Sequence, residues 1–82
     1  MNPEYYTMYK VKQYGQQSEL VDVYDCLEHL GKNTPLTKMQ FHVLADVLAR
    51  TVRMINGKPG VSLEEDARKI ITQMNYLISL ES

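Results

Sequence analysis

The segment from Leu36 to Gly57 constrains this chain most, because both ends of one helix are written into it. Thr37 and Gln40 have the T-x-x-Q spacing of a capping box, in which each side chain satisfies a backbone N–H at the other's position. Leu36 and Phe41 occupy the two positions of a hydrophobic staple. Asn56-Gly57 supplies the stop, since glycine tolerates the left-handed conformation that ends helices. The pattern predicts a helix from Thr37 to about Ile55. Its main apolar stripe is Phe41, Leu44, Ala45, Leu48, Val52 and Ile55, flanked by a second stripe of Met39, Val43, Val47 and Met54. So wide an apolar surface implies a helix covered on more than one side.

Two further helices are readable around it. Ser62 and Glu65 have capping-box spacing, and the helix they open carries Leu63, Ala67, Ile70, Ile71, Met74, Leu77 and Ile78 on one face. Upstream, Ser18 can cap a helix running to about Leu30, with Leu20, Val23, Tyr24, Leu27 and Leu30 at three- and four-residue spacing. Glu19 and Asp22 suit its positive N-terminal end, and Gly31 lies where a left-handed cap belongs. Lys32 to Pro35 reads as a turn, and Gly57-Lys58-Pro59-Gly60 as a helix–helix connector. At the N-terminus, Asn2 and Pro3 look like a helix entrance and Gly15 like its end. Tyr5, Tyr6, Met8, Tyr9, Val11 and Tyr14 fit neither period, so this segment is read as helix, with a short strand as the alternative. The expected fold is all-α: a small antiparallel three- to four-helix bundle in which residues 1–82 form a single helical domain.

Composition excludes several classes of protein. With 44% hydrophobic and 23% charged residues, the chain can bury enough apolar surface to fold. At 82 residues the core is small, and pairing with a second copy is a common remedy. A net charge of −1 gives no bulk attraction to nucleic acid or anionic lipid. Cys26 is the sole cysteine, so no intrachain disulfide forms, which weighs against a small secreted scaffold. Met1 to Lys12 lacks the apolar stretch of a signal peptide, and no apolar run approaches the roughly 20 residues that span a bilayer. Cytoplasmic residence and no membrane association are therefore expected.

Reactive chemistry finds little support. Cys26 and His29 sit three apart, and His42 is the remaining imidazole, whereas a structural zinc takes about four ligands. A Cys–His nucleophile needs an orienting third group and an oxyanion site, and nothing marks either. The connector at Gly57 has too few glycines for a phosphate loop. No enzymatic activity, metal or cofactor is expected.

Surfaces are more informative. Glu19, Asp22, Asp25 and Glu28 make one segment acidic, and Lys32, Lys38, Arg50, Arg53 and Lys58 make the next one basic. The two segments are expected to pack side by side. Were nucleic acid the partner, Lys38, Arg50, Arg53 and Lys58 would carry the phosphate contacts. Leu44 to Val52 faintly echoes a helix-turn-helix, but nothing breaks the helix where the turn is required. Tyrosine and methionine are enriched at protein interfaces, which singles out Tyr5, Tyr6 and Tyr9 with Met39, Val43, Val47 and Met54 as a partner-binding surface. The other reading of the tyrosines is that they close the open end of the core. In element order alone (a helix, a Gly31-Lys32-Asn33 turn, two further helices) the chain resembles small enterobacterial helical regulators of the AriR kind. No motif is shared, and no residue role is carried over. The expected function is that of a small regulatory or adaptor protein acting by protein–protein contact, as a homodimer. The alternative is a DNA-binding transcriptional regulator using the basic helix 37–55.

Overall fold

The computed structural model describes residues 4–11 and 19–81. A 3-10 turn at Glu4–Tyr6 leads into strand β1 (Thr7–Val11), which pairs with strand β2 (Glu19–Asp22). Helices α1 (Val23–Gly31), α2 (Lys38–Asn56) and α3 (Leu63–Glu81) follow. The chain is thus mostly helical, with one small sheet among the described residues.

The N-terminal segment is the strand alternative and not the helix. β1 and β2 run antiparallel, with Thr7 opposite Asp22, Tyr9 opposite Val21 and Val11 opposite Glu19. The register shifts between Thr7 and Tyr9, which makes Met8 the extra residue of a bulge. Aromatic and β-branched residues favour the pleated conformation once a partner strand takes up their backbone hydrogen bonds. That partner is Glu19–Asp22, residues expected in the first turns of a helix. Asn2, Pro3, Gly15 and Ser18, on which the expected boundaries rested, and Tyr14 of the aromatic set lie outside the described residues.

The pairing moves the start of α1 to Val23. Asp22 becomes its cap: Asp25 N–H donates to Asp22 Oδ1 at 3.0 Å, and Asp22 N–H donates to Asp25 Oδ2 at 3.2 Å. Gly31 is the last helical residue and not a left-handed cap, since the cap Lys32 is right-handed. Its small size serves close packing, because a Cβ there would lie 3.0 Å from the Phe41 ring. α2 forms as expected. Gln40 N–H donates to Thr37 Oγ1 at 3.2 Å, Thr37 N–H donates to Gln40 Oε1 at 2.9 Å, and Gly57 ends the helix at φ 81°. At α3, Glu65 N–H donates to Ser62 Oγ at 3.0 Å, and Glu64, Glu65 and Asp66 complement the positive end of the helix.

α2 is the middle element. On one side, Ala49 and Val52 form the main core with Val23 and Leu27 of α1, and Tyr6, Phe41, Ala45 and Leu48 pack against it. On the other side, α3 runs antiparallel, tied by Arg53 to Asp66 near one end and by Gln40 to Glu81 near the other. That register puts the buried Val43 and Val47 opposite Leu77 and Gln73. With about 100° of turn per residue, positions 45, 49 and 52 face away from positions 43, 47 and 50. α1 and α3 therefore flank α2 on opposite sides.

The shape follows from that row of elements. The chain spans 52 × 34 × 16 Å with a radius of gyration of 14.8 Å, against about 12 Å for a compact domain of this length. Its accessible surface is 6423 Å², against about 5,000 Å² for a monomer of this mass. No helix among the described residues is long and apolar enough to cross a membrane.

If the Thr37 cap anchors α2, Thr37→Ala should destabilise the chain by about 1 kcal/mol. A shift of the urea midpoint at unchanged m-value would show it, and an unchanged midpoint would place the helix start elsewhere.

Candidate functional site

Asp66 is the only buried charged residue among those described, at 3% exposure. It stands in the first turn of α3, and two arginines of α2 converge on it. Arg53 Nε donates to Oδ2 at 3.2 Å while Arg53 Nη2 donates to Oδ1, so the guanidinium grips both carboxylate oxygens. Arg50 Nη1 adds a longer bond to Oδ1 at 3.4 Å. Arg53 also reaches the N-terminal turn, its Nη1 donating to Tyr6 Oη at 3.3 Å. Tyr6 packs edge-on against Tyr24 of α1, with ring centroids 5.2 Å apart. Asn56 Nδ2 donates to the carbonyls of Tyr5 and Thr7, each at 2.8 Å, pinning the same turn to the end of α2.

The electrostatics match this geometry. The hydrogen bond from Arg53 holds the Asp66 carboxyl below its ordinary value of 3.8, against the opposing effect of burial, and the charges of Arg53 and Arg50 add to it. The bond to Asp66 likewise raises the pKa of Arg53, which stays charged. Burial, followed by the neighbouring Tyr6, raises the pKa of the Tyr24 hydroxyl. The site is a structural clamp. Both carboxylate oxygens are occupied, and Asp66 and Arg53 form part of the wall of a shallow hollow shared with Met54, Gly57, Lys58, Val61 and Leu63.

The residues singled out in the sequence are divided by this arrangement. Arg50 and Arg53, candidate phosphate contacts, are engaged with Asp66, their side chains 21% and 11% exposed. They pair with α3 and not with the acidic segment around α1, as their charge had suggested. Lys38 is exposed, and the Lys58 ammonium lies 5.4 Å from the centre of the Tyr5 ring. Of the expected partner-binding residues, Val43 and Val47 are buried within the single chain, and Tyr5, Tyr6 and Met54 are half-buried. Met39 and Tyr9 are exposed. Cys26 is half-buried, and His42 lies 3.7 Å from Asp46 on the surface of α2. Among the described residues no group of three or more His, Cys, Asp or Glu is placed to hold a metal ion. An open depression on the polar side is lined by Arg50, Arg68, Lys69, Thr72 and Gln73, with Arg68 held by Glu64 at 2.8 Å.

Asp66 itself was missed in the sequence. It lies one residue beyond Glu65 in an acidic helix start and looks like an ordinary dipole-compensating carboxylate. The available signal was its place one turn from the apolar positions Ile70 and Leu63, which puts it near the buried edge of the helix.

Comparison with known protein families, with curated proteins and with solved structures returns no match to this chain. The likeness in element order to small helical regulators accordingly carries no argument about residues.

Two outcomes test the clamp. Arg53→Ala or Asp66→Asn alone should each destabilise the fold by about 3 kcal/mol, because each leaves a buried polar partner unpaired. Arg53→Met with Asp66→Leu should recover most of that loss in chemical denaturation. A double variant as unstable as either single one would show that the pair contributes more than mutual compensation. The pH dependence has a definite sign. The Asp66 carboxyl has a lowered folded-state pKa, so its contribution is complete above about pH 5 and is lost as pH falls below the ordinary carboxylate value. Between pH 7 and pH 3 the wild type should lose more stability than Asp66→Asn does. Parallel losses in the two proteins would remove Asp66 as the acid-sensitive group.

Proposed function

We propose that this chain is a small regulatory or adaptor protein that acts by protein–protein contact, as a homodimer and without catalysis. One observation carries the reading: large apolar side chains stand open in the isolated chain, Ile55 at 80%, Leu63 at 66% and Ile78 at 67% exposure. Monomers rarely leave contiguous apolar patches beyond a few hundred Å², roughly, and larger ones mark interaction sites. The chemistry within the fold points the same way. Among the described residues the one buried charge, Asp66, is consumed in holding helices together, and the exposed His42 stands beside a single carboxylate. Met39 and Tyr9 remain open to a partner, while Val43 and Val47 belong to the interior of the chain.

DNA binding draws less support, since Arg50 and Arg53 are committed to Asp66.

Sedimentation equilibrium over a concentration series tests the proposal. The expected result is a dimer at about 10 μM, the range of a modest interface free energy. A chain that stays monomeric at about 100 μM, and shifts random duplex DNA at low salt only, would sink the homodimer and favour the nucleic-acid alternative.

A further inference from the structure

Five exposed apolar residues of α2 and α3 gather on one face. On α3, the edge turned to α2 is Asp66, Ile70, Gln73 and Leu77. The apolar residues of α3 continue past that edge by a quarter turn, through Leu63, Met74, Ile78 and Ile71. α2 covers only the edge, and these four remain 66%, 36%, 67% and 61% exposed. On α2, Leu44 and Ile55 stand a quarter turn from its own α3-facing residues. Two antiparallel helices wind in opposite senses when viewed down one axis, so these two quarter turns reach the same side of the molecule. Ile55 also shares a shallow hollow with Met8 of β1, which extends the face toward the sheet. The opposite side carries His42 and Asp46 from α2 with Lys69 and Thr72 from α3, and its exposed apolar residues are Met39, Tyr76 and Leu80. The flat molecule therefore has one face where large aliphatic side chains dominate and one where they are interspersed with charged and polar residues.

We infer that the apolar face formed by Ile55, Leu63, Ile71, Met74 and Ile78 docks a second copy of this chain, face to face about a two-fold axis. The inference rests on the homodimer reading above and names its surface. Three observations favour a second copy over other occupants. The accessible surface of 6423 Å² exceeds the roughly 5,000 Å² expected for this mass by more than the roughly 800 Å² that one partner buries in a stable interface. Stacking two slabs, each 16 Å through, gives the two-layer architecture that a single copy lacks, and a two-fold axis uses one patch twice. A face that lies on lipid is rimmed by lysine and arginine. Here the flanking charges are of both signs: Glu64 neutralises Arg68 at 2.8 Å, Lys58 shares a hollow with Leu63, and Glu81 stands at the far end.

The experiment is sedimentation of the whole chain beside three variants. Ile71→Glu and Ile55→Glu alter side chains exposed in the single copy, so both should stay helical by circular dichroism. Each should weaken self-association at least about 30-fold, the scale of an interface hot spot. Thr72→Glu, on the opposite face, should sediment as the wild type does. A wild type that is monomeric, whether free or bound to neutral phosphatidylcholine vesicles, would overturn the homodimer itself. A dimeric wild type whose Ile71→Glu and Ile55→Glu variants remain dimeric would overturn the face and leave the homodimer standing. Should either variant unfold, single-cysteine proteins on a Cys26→Ser background give an independent readout. The thiol of Ile71→Cys should be protected from maleimide at dimer concentrations and reactive on dilution, while that of Thr72→Cys should react in both. Equal reactivity of Ile71→Cys in both would reject the assigned face.

Discussion

The grip of Arg53 on Asp66 is the contact on which the tertiary arrangement turns. It joins α2 to α3 through both carboxylate oxygens, and the same guanidinium reaches Tyr6 in the N-terminal turn. Three segments distant in sequence thus meet at one planar side chain. Arginine suits the task because its five donors are fixed in a fork, so it can satisfy a carboxylate and a phenol at once. Lysine, with one point charge, could not hold both geometries. A buried carboxylate is unfavourable unless its partners are in place, so the pair disfavours every α2–α3 register except the one that seats it.

That specificity matters because apolar packing here is thin. The elements are arrayed in a row with α2 in the middle, and the buried apolar residues are few and mostly valine: Val23, Val43, Val47 and Val52, with Leu27 and Ala49. Among the described residues the main buried cluster joins α1 to α2 and includes no residue of α3. Backbone anchors take up part of the work. Asn56 holds the N-terminal turn by two carbonyls, and Gly31 lets the Phe41 ring approach α1 closely. The larger apolar residues, Ile55, Leu63, Ile71 and Ile78, are left outside. A chain that buries mostly valine and leaves residues as large as Ile55, Leu63, Ile71 and Ile78 outside suits cover supplied from elsewhere. The proposed self-association follows from that distribution and requires no reactive group.

The local features were legible in the sequence, and the reason is that they are local. The Thr37–Gln40 box, the Gly57 stop and the Ser62 cap depend on side chains within a few residues of the backbone groups they satisfy. Such interactions form in the same way wherever the segment finally packs. The width of the α2 apolar surface likewise announced cover on two sides, and α1 and α3 provide it. The boundary of α1 was not legible. Whether residues 19–22 join a helix or a strand depends on the presence of β1 beside them, a non-local fact.

The candidate surface shows the same division more sharply. The sequence by itself determined which residues of α3 are apolar and that they line one stripe of a helix. Only the tertiary structure decided that α2 covers the edge of that stripe, because seating Asp66 between two arginines rotates α3 away from its apolar centre. It also decided that Val43 and Val47 are interior while Ile55 is open, and that Arg50 and Arg53 hold a helix in place. Periodicity records how side chains are spaced around one helix axis. Which side of that axis meets a neighbour is set by a pairing between residues 13 positions apart, and no period within one helix contains it.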